Sequence, residues 1–417
     1  MKIQKPFKYA PTLLGGIALA SIACQLQAAG FQLKEQSAEG QGNSFAGQTA
    51  KAVDASTIFF NPAGMSLIEG NQVQSNVSYV APTADYSHKS SSAGSPFTKT
   101  TGIDGGVSAF VPAAYALWDY NEQVKLGVSV NVPFGLSTEY DKTWAGAQYN
   151  VLSAIETINI APSIAYKVND KFSIGGNVQF QKIKGKLTTQ NPIRNLGVRT
   201  TTLKADDTGF GFGFGMLYQY SDKGRIGFNY RSEINHTLDG DVSTPDVAPL
   251  NFDAKAKVTM PAVASIGLYH EVSDQWTVLA DLAWTDWSEF DELQVVNTDT
   301  NTNVPGPTQY NWSDTVFAAV GANYQYNDKL QLKFGVAYDE GAANNEDRTA
   351  GIPDATRYWA SVGASYDIDP KSTVNVGYSH VKAHSVDVTE DTKRGTSYSG
   401  SFKAHVNILS VGYTYKF

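Results

Sequence analysis

The sequence predicts an all-β fold, a transmembrane antiparallel β-barrel, and three observations carry that prediction. Large apolar side chains alternate with small or polar ones, as in Leu330-Gln331-Leu332-Lys333-Phe334-Gly335-Val336-Ala337-Tyr338. Strict alternation sets one face against an apolar medium and the other against a polar or packed one. The alternating segments often reach ten residues, which is what a tilted strand needs to cross the hydrocarbon. Aromatic residues gather near segment ends (Tyr115 with Trp118, Tyr218 with Tyr220, Tyr324 with Tyr326), where an amphipathic ring suits the membrane interface. Beyond residue 28 no apolar run is long enough to span a membrane as a helix.

The first 28 residues read as a secretory signal peptide. Lys2, Lys5 and Lys8 form a basic start, Leu13 to Ala23 is a short apolar run, and Gln27, Ala28 and Ala29 offer a small-residue cleavage site. Removing three lysines and no acid takes the formal net charge from −8 to −11. Such a chain gives no reason to expect nucleic-acid binding. The single cysteine, Cys24, falls inside this segment, so no disulfide is expected in the mature protein.

Residues 29–69 are rich in Gly, Ala, Ser, Gln and Asn and lack the period of two, which suits a plug inside a barrel. A disordered tail would gain nothing by exposing Ile58-Phe59-Phe60. Asn61-Pro62 has the form of a helix start, Asn as the cap and Pro in the first turn.

Residues 70–417 read as the barrel. Tight polar turns at Asp119–Glu122, Asn169–Lys171, Ser221–Gly224, Ser273–Gln275, Asn327–Lys329 and Asp367–Pro370 alternate with longer Thr-, Asn-, Ser- and Pro-rich segments. The latter cover 84–105, 136–154, 189–200, 239–250, 294–308, 340–353 and 386–398. Six turns and seven loops call for about fourteen strands, with twelve or sixteen still open. In Gly209-Phe210-Gly211-Phe212-Gly213-Phe214-Gly215 the aromatics point to lipid and the glycines to a crowded interior, so the run is no dinucleotide turn. The last strand carries Leu409, Val411, Tyr413, Tyr415 and Phe417 on one face, similar to the assembly signal of outer-membrane barrels.

Chemistry is thinly represented. There is no Gly-x-Ser-x-Gly elbow and no phosphate loop, so neither an enzyme nor an energised pump is expected. His380 and His384 share a strand face, yet no third ligand accompanies them; no metal or other cofactor is expected. A general porin would share the barrel pattern but not the segment 29–69.

The chain resembles the FadL/TodX (OmpP1) family of outer-membrane transporters of long-chain fatty acids and hydrocarbons. The resemblance spans the mature length. It rests on Ala29-Gly30-Phe31-Gln32-Leu33, Asp54-Ala55-Ser56-Thr57, Asn61-Pro62-Ala63-Gly64-Met65 and Pro133-Phe134-Gly135-Leu136 with Trp144. Further on it rests on Met260-Pro261-Ala262, Asp281 to Ser288 and Ile352-Pro353-Asp354 with Arg357-Tyr358-Trp359.

That resemblance implies a fourteen-strand barrel closed by an N-terminal hatch, and such a filled barrel is expected to be a monomer because it needs no partner to close its edges.

 It also implies a passive route for a hydrophobic ligand, from a groove among the outer loops to an inner site lined by the mature N-terminus. Release is then sideways, beside a kinked third strand, into the outer-membrane lipid. The matching residues are Ala29, Gly30 and Phe31 at the N-terminus, Asn61, Pro62 and Ala63 as the hatch motif, and Phe134, Leu136 and Trp144 in the outer groove. The third strand would run from about Val124 to Phe134, with Pro133 removing a ladder donor near its end. Two positions that are basic in fatty-acid members fall near Thr189 and Ser313 here. Lys184, Lys186 or Arg194 would have to hold a carboxylate instead, and a neutral or aromatic hydrocarbon stays open as the ligand. Burying a chain of ~14 methylenes is worth on the order of 11 kcal/mol gross, so binding needs little from polar groups.

Overall fold

The computed structural model describes residues 30–390 and 395–417. The signal-peptide reading of residues 1–28, Cys24 and the site residue Ala29 lie outside the described residues. Fourteen antiparallel strands form one closed barrel. They are β1 (Gln72–Ser91), β2 (Ala109–Asp119), β3 (Val124–Asn131 and Gly135–Glu139), β4 (Leu152–Lys167) and β5 (Phe172–Ile193). Next come β6 (Gly197–Ser221), β7 (Gly224–Arg231 and Ile234–Ser243), β8 (Phe252–Met260 and Val263–Glu271) and β9 (Trp276–Thr285). The set ends with β10 (Thr315–Asn327), β11 (Leu330–Asp339), β12 (Arg357–Asp369), β13 (Ser372–Ala383) and β14 (Tyr398–Lys416). Closure comes from β1 against β14, from Gln72 opposite Lys416 to Ser91 opposite Tyr398, with one register shift between His88 and Ser90. Every strand therefore has two neighbours and no edge is left to pair with another chain.

The period of two sorts the side chains as expected. Phe210, Phe212 and Phe214 are exposed on the outer face, as are Val73, Val77 and Tyr79 on β1 and Leu409, Val411 and Tyr413 on β14. In a lipid-spanning barrel this exposed apolar band is the surface that meets the acyl chains. Trp118, Tyr218, Tyr220, Trp276, Tyr326, Tyr366 and Phe417 mark its end on the short-turn side. Tyr115 departs from the expected girdle. It is 3% exposed and points inward, because odd positions of β2 face the interior, and its hydroxyl donates to Gln36 O at 2.7 Å.

Several of the expected loops are partly strand. Residues 189–200 carry β5 and β6 on to a tight turn at Arg194–Leu196, and β7 runs to Ser243, inside the expected loop 239–250. Both extensions are rich in Thr, Asn, Asp and Gly, so the alternation that marks the spanning parts is lost there. β1 likewise continues to Ser91, inside the segment 84–105.

Residues 31–68 fill the interior as short helices, α1 (Ala38–Gln41), α2 (Gln48–Lys51) and α3 (Thr57–Phe60), followed by a 3-10 helix (Pro62–Leu67). The Asn61 side chain caps the last of these by accepting from Ala63 N at 3.1 Å, with Pro62 at its first position, as the sequence suggests. The same side chain donates to Thr49 O at 2.7 Å and to Met216 O on β6 at 2.9 Å, so one residue starts a helix and ties it to the wall. Backbones touch elsewhere: a Cβ on Gly335 of β11 would run into the backbone of Asn43. Small wall residues at that level are therefore a packing requirement of the segment inside.

Candidate functional site: a kinked wall, an aromatic chamber and a buried ion cluster

β3 breaks at Val132–Phe134. Below the break it pairs with β2 up to Val130 opposite Ala114, and above it only Gly106 bridges to Thr138. Pro133 cannot donate to a ladder, and its neighbours need other partners. The N-terminal segment supplies most of them. Leu33 N donates to Pro133 O at 2.8 Å and Gly135 N donates to Phe31 O at 2.8 Å, with Gln32 opposite Phe134 between them. Gln36 Nε2 donates to Val132 O at 2.7 Å, and Val132 N donates back to Gln36 Oε1 at 3.3 Å. Thr157 of β4 meets the rest, donating to Phe134 O at 2.6 Å and accepting from Phe134 N at 3.0 Å. Residues 31–36 thus act as a short extra strand that satisfies the backbone of the kink.

On the outer side of this contact lies an aromatic chamber. The Phe31 ring sits 4.8 Å from Trp287, 5.2 Å from Phe290 and 6.1 Å from Phe134, centroid to centroid, all edge-on. Trp312 stacks obliquely on Phe290 at 4.7 Å. Leu136, Ile183, Leu238, Val258, Met260 and Ile352 complete the same buried apolar cluster. Edge-to-face pairs of this kind add about 0.5–1.5 kcal/mol each beyond area burial. Beside Phe290 and Tyr310 a cavity of about 60 Å³ is lined by Leu136, Ile155, Ile183, Leu203, Leu238 and Val258 among others. A basin of about 270 Å³ among the outer loops shares Ser153, Leu187 and Tyr310 with it.

The third feature is charge buried in the interior. Glu39 Oε1 lies 2.5 Å from both Lys51 Nζ and Lys333 Nζ, with every member of the triad almost fully buried. Burial works to raise the Glu39 carboxyl, but Lys333 and Lys51 outweigh it and hold it down at about 2. Glu35 is the opposite case. Both its carboxyl oxygens lack a hydrogen-bond partner among the described residues, and burial pushes it up to about 7.

A pH dependence follows for the docking of residues 31–36. Docked, Glu35 holds its proton up to about pH 7; released into water it loses the proton near its ordinary 4.5. Docking is therefore strongest below about pH 4.5, weakens as pH rises to about 7, and stays level above. The full shift corresponds to about 3 kcal/mol. Amide exchange of residues 31–36 should accelerate across that window relative to Glu35→Gln. Identical pH profiles for the two proteins would show that Glu35 does not govern docking.

The structure brings together Gly30, Phe31, Phe134 and Leu136 from among the site residues expected from sequence; Cβ space at Gly30 is closed by Trp287 and Trp312. Trp144 lies elsewhere, in a second aromatic cluster stacked on Tyr140 at 4.6 Å and packed against Tyr86 and Tyr398. Lys184 and Lys186 fall on the exposed face of β5, because even positions there point outward, and Arg194 is exposed at the hairpin tip. Asn61, Pro62 and Ala63 contact the β5–β6 wall beneath, where Gly175 and Gly215 make room for them. Sequence reasoning passed over Trp287, Phe290, Tyr310 and Trp312 as chamber residues. The signal was four aromatics within 26 positions of an otherwise polar connection.

Against known proteins, residues 19–417 match the family described as outer membrane protein transport protein (OMPP1/FadL/TodX). The chain belongs to this family. It is 30% identical to the 47 kDa outer membrane protein of Pasteurella multocida, over 100% of both chains. It is 27% identical to the long-chain fatty acid transport protein of Escherichia coli (strain K12), over 90% of this chain and 92% of that one. The crystal structure of a Pseudomonas aeruginosa FadL homologue superposes with a TM-score of 0.86 at 26% identity, covering 93% of this chain and all of the other. The protein is thus an outer-membrane β-barrel of a transport family and not an enzyme.

Proposed function

We propose that this OMPP1/FadL/TodX-family barrel carries long-chain fatty acids or similarly apolar compounds passively across the outer membrane, with residues 29–69 as its hatch. The observation that carries the reading is the buried apolar cluster around Phe31, whose small cavity shares the lining residues Ser153, Leu187 and Tyr310 with the outer basin. At about 60 Å³ the cavity is far below the roughly 300–1,000 Å³ of an occupied ligand pocket. An acyl chain therefore enters by displacing Phe31 and its neighbours. That displacement breaks the bonds from residues 31–36 to Val132, Pro133 and Gly135. The kink then loses its backbone partners at the moment the ligand arrives, which opens the wall between β2 and β3 for sideways release. No nucleotide or gradient device is needed, since transfer of each methylene out of water is worth about 0.8 kcal/mol.

A second reading, a neutral hydrocarbon as ligand, is favoured by one observation. Of the residues lining the inner cavity only Lys186 is basic, and its side chain is directed to the outer face. Titrating the purified barrel with oleate, methyl oleate and toluene separates the two. Oleate bound at least tenfold tighter than its ester supports a carboxylate site; equal binding or a preference for toluene supports the hydrocarbon. Failure of all three to bind would overturn the transport reading, as would passage of sugars through reconstituted liposomes at porin rates.

A further inference from the structure

The outer face of β12, β13, β14 and β1 carries a compact basic patch that the transport route does not use. Along β13 the outward positions are Val376, Tyr378, His380 and Lys382, with His384 just beyond the strand end. Along β14 they are Leu409, Asn407, His405 and Lys403. The register aligns these residues in rows. Val362, Tyr378, Leu409 and Tyr79 form an apolar, exposed row that faces lipid. One row up stand His380 and Asn407, and above them Lys382 and His405. Lys403, opposite Asp85, stands two residues further along β14.

Five basic residues, three of them among the six histidines of the chain, thus occupy one face of a protein whose net charge is −8. Among the described residues three carboxylates share that face, Asp387 and the register pair Asp85 and Asp104, and Asp104 Oδ1 accepts from Ala84 N at 2.7 Å and Gly106 N at 2.8 Å. Asp387 is taken by Lys89 at 2.7 Å, and among the described residues neither Lys382 nor Lys403 forms an ion pair. The histidines bond neutral partners: His380 Nδ1 lies 3.0 Å from Asn407 Oδ1, and His405 Nδ1 lies 2.7 Å from Thr83 Oγ1. The His380 and His405 rings are 6.0 Å apart, and Tyr358 backs His384 at 5.3 Å. A lysine flanked by N–H donors, with no carboxylate in ion-pair reach among the described residues, suits an anion.

The position of the patch identifies that anion. From Phe417 to Leu409 the outward residues along this end of the chain are all apolar or aromatic.

 For β14 they are Phe417, Tyr415, Tyr413, Val411 and Leu409, a stretch of about nine residues that matches the hydrocarbon crossing. The patch begins with the next outward residue, Asn407, so it sits at headgroup level on the long-loop side. We infer that Lys382, Lys403, His380, His384 and His405 form a binding site for the phosphate-bearing headgroup of an outer-leaflet lipid, whose acyl chains lie on the Tyr378–Leu409 row below. Lysine supplies the charge, and the histidines supply N–H donors with a fixed direction.

Native mass spectrometry of the intact barrel tests this, with dioleoyl phosphatidic acid as the phosphomonoester probe and dioleoyl phosphatidylcholine as the reference. The wild type should retain phosphatidic acid at least tenfold better than phosphatidylcholine. The double variant Lys382→Gln with Lys403→Gln should lose about thirty-fold of that retention, at about 1 kcal/mol per lysine. A control pair on the opposite wall, Lys255→Gln with Lys257→Gln, should retain it. Equal retention of the two lipids, or an unchanged double variant, overturns the proposal. Inorganic phosphate displacing the lipid at comparable concentration also overturns it, because the site would then serve a free anion. Oleate binding by the double variant should match the wild type, which separates failure here from failure of the transport reading.

Discussion

Replacing Glu39 by Ala is expected to unseat the segment inside the barrel and turn a closed wall into a leaky one. Among the described residues Glu39 is the one carboxylate in ion-pair contact with two lysines, Lys51 on α2 and Lys333 on β11, and all three side chains are at most 4% exposed. Removing it leaves two ammoniums facing each other without solvent, and breaking a buried pair in this way costs about 3–5 kcal/mol. Those lysines cannot reach water while the segment stays docked, so relief comes from its movement. Planar-bilayer conductance and liposome swelling with small sugars should both rise well above the wild type, while the barrel keeps its heat-modifiable mobility. The compensated triple variant Glu39→Leu, Lys51→Met, Lys333→Met should close the barrel again, because apolar replacement of a whole buried ion cluster is often neutral. An Ala variant as tight as the wild type would show that the triad does not hold the segment in place.

That fastening was not legible in the sequence, although the fold was. The barrel could be read because lipid forces a rule on every spanning strand: one face must be apolar, as Phe210, Phe212 and Phe214 show with glycines between them. Turns could be read because Asn169 and Asn327 accept from the backbone two and three residues on, which is local chemistry. The Thr-rich ends of β5 and β6 could not, since the alternation is lost there. The site divides along the same line. Phe31, Phe134 and Leu136 were found through short motifs, whereas Glu39 with Lys333 and Gln36 with Val132 are partners 294 and 96 positions apart. Nothing local marks such a pair. Lys184 and Lys186 show the converse: charge suggested a binding role, but the parity of β5 turns both outward.

Locking Gln32 to Phe134 with a disulfide is expected to abolish uptake while leaving the barrel folded. The two residues are bridge partners, flanked on both sides by backbone bonds at 2.8 Å from Leu33 and Gly135. In such a non-hydrogen-bonded antiparallel pair the Cα atoms lie about 4.5 Å apart, within the range a disulfide spans without moving the backbone. The only native cysteine is Cys24, ahead of residue 29, so the new pair has no competitor downstream. Oxidised Gln32→Cys with Phe134→Cys keeps residues 31–36 on the kink, and ligand can no longer separate them. Uptake of labelled oleate or toluene into cells should then fall at least tenfold and return on reduction, with the Gln32→Ser, Phe134→Ser protein insensitive to redox state. Binding in the basin lined by Tyr149, Arg348 and Pro305 should persist in the oxidised form, because that surface does not depend on the N-terminal segment. Undiminished uptake in the oxidised protein would mean that ligand leaves without parting the segment from β3. Sideways release through the kink would then have to be abandoned, because that proposal requires the bonds to Val132, Pro133 and Gly135 to part first.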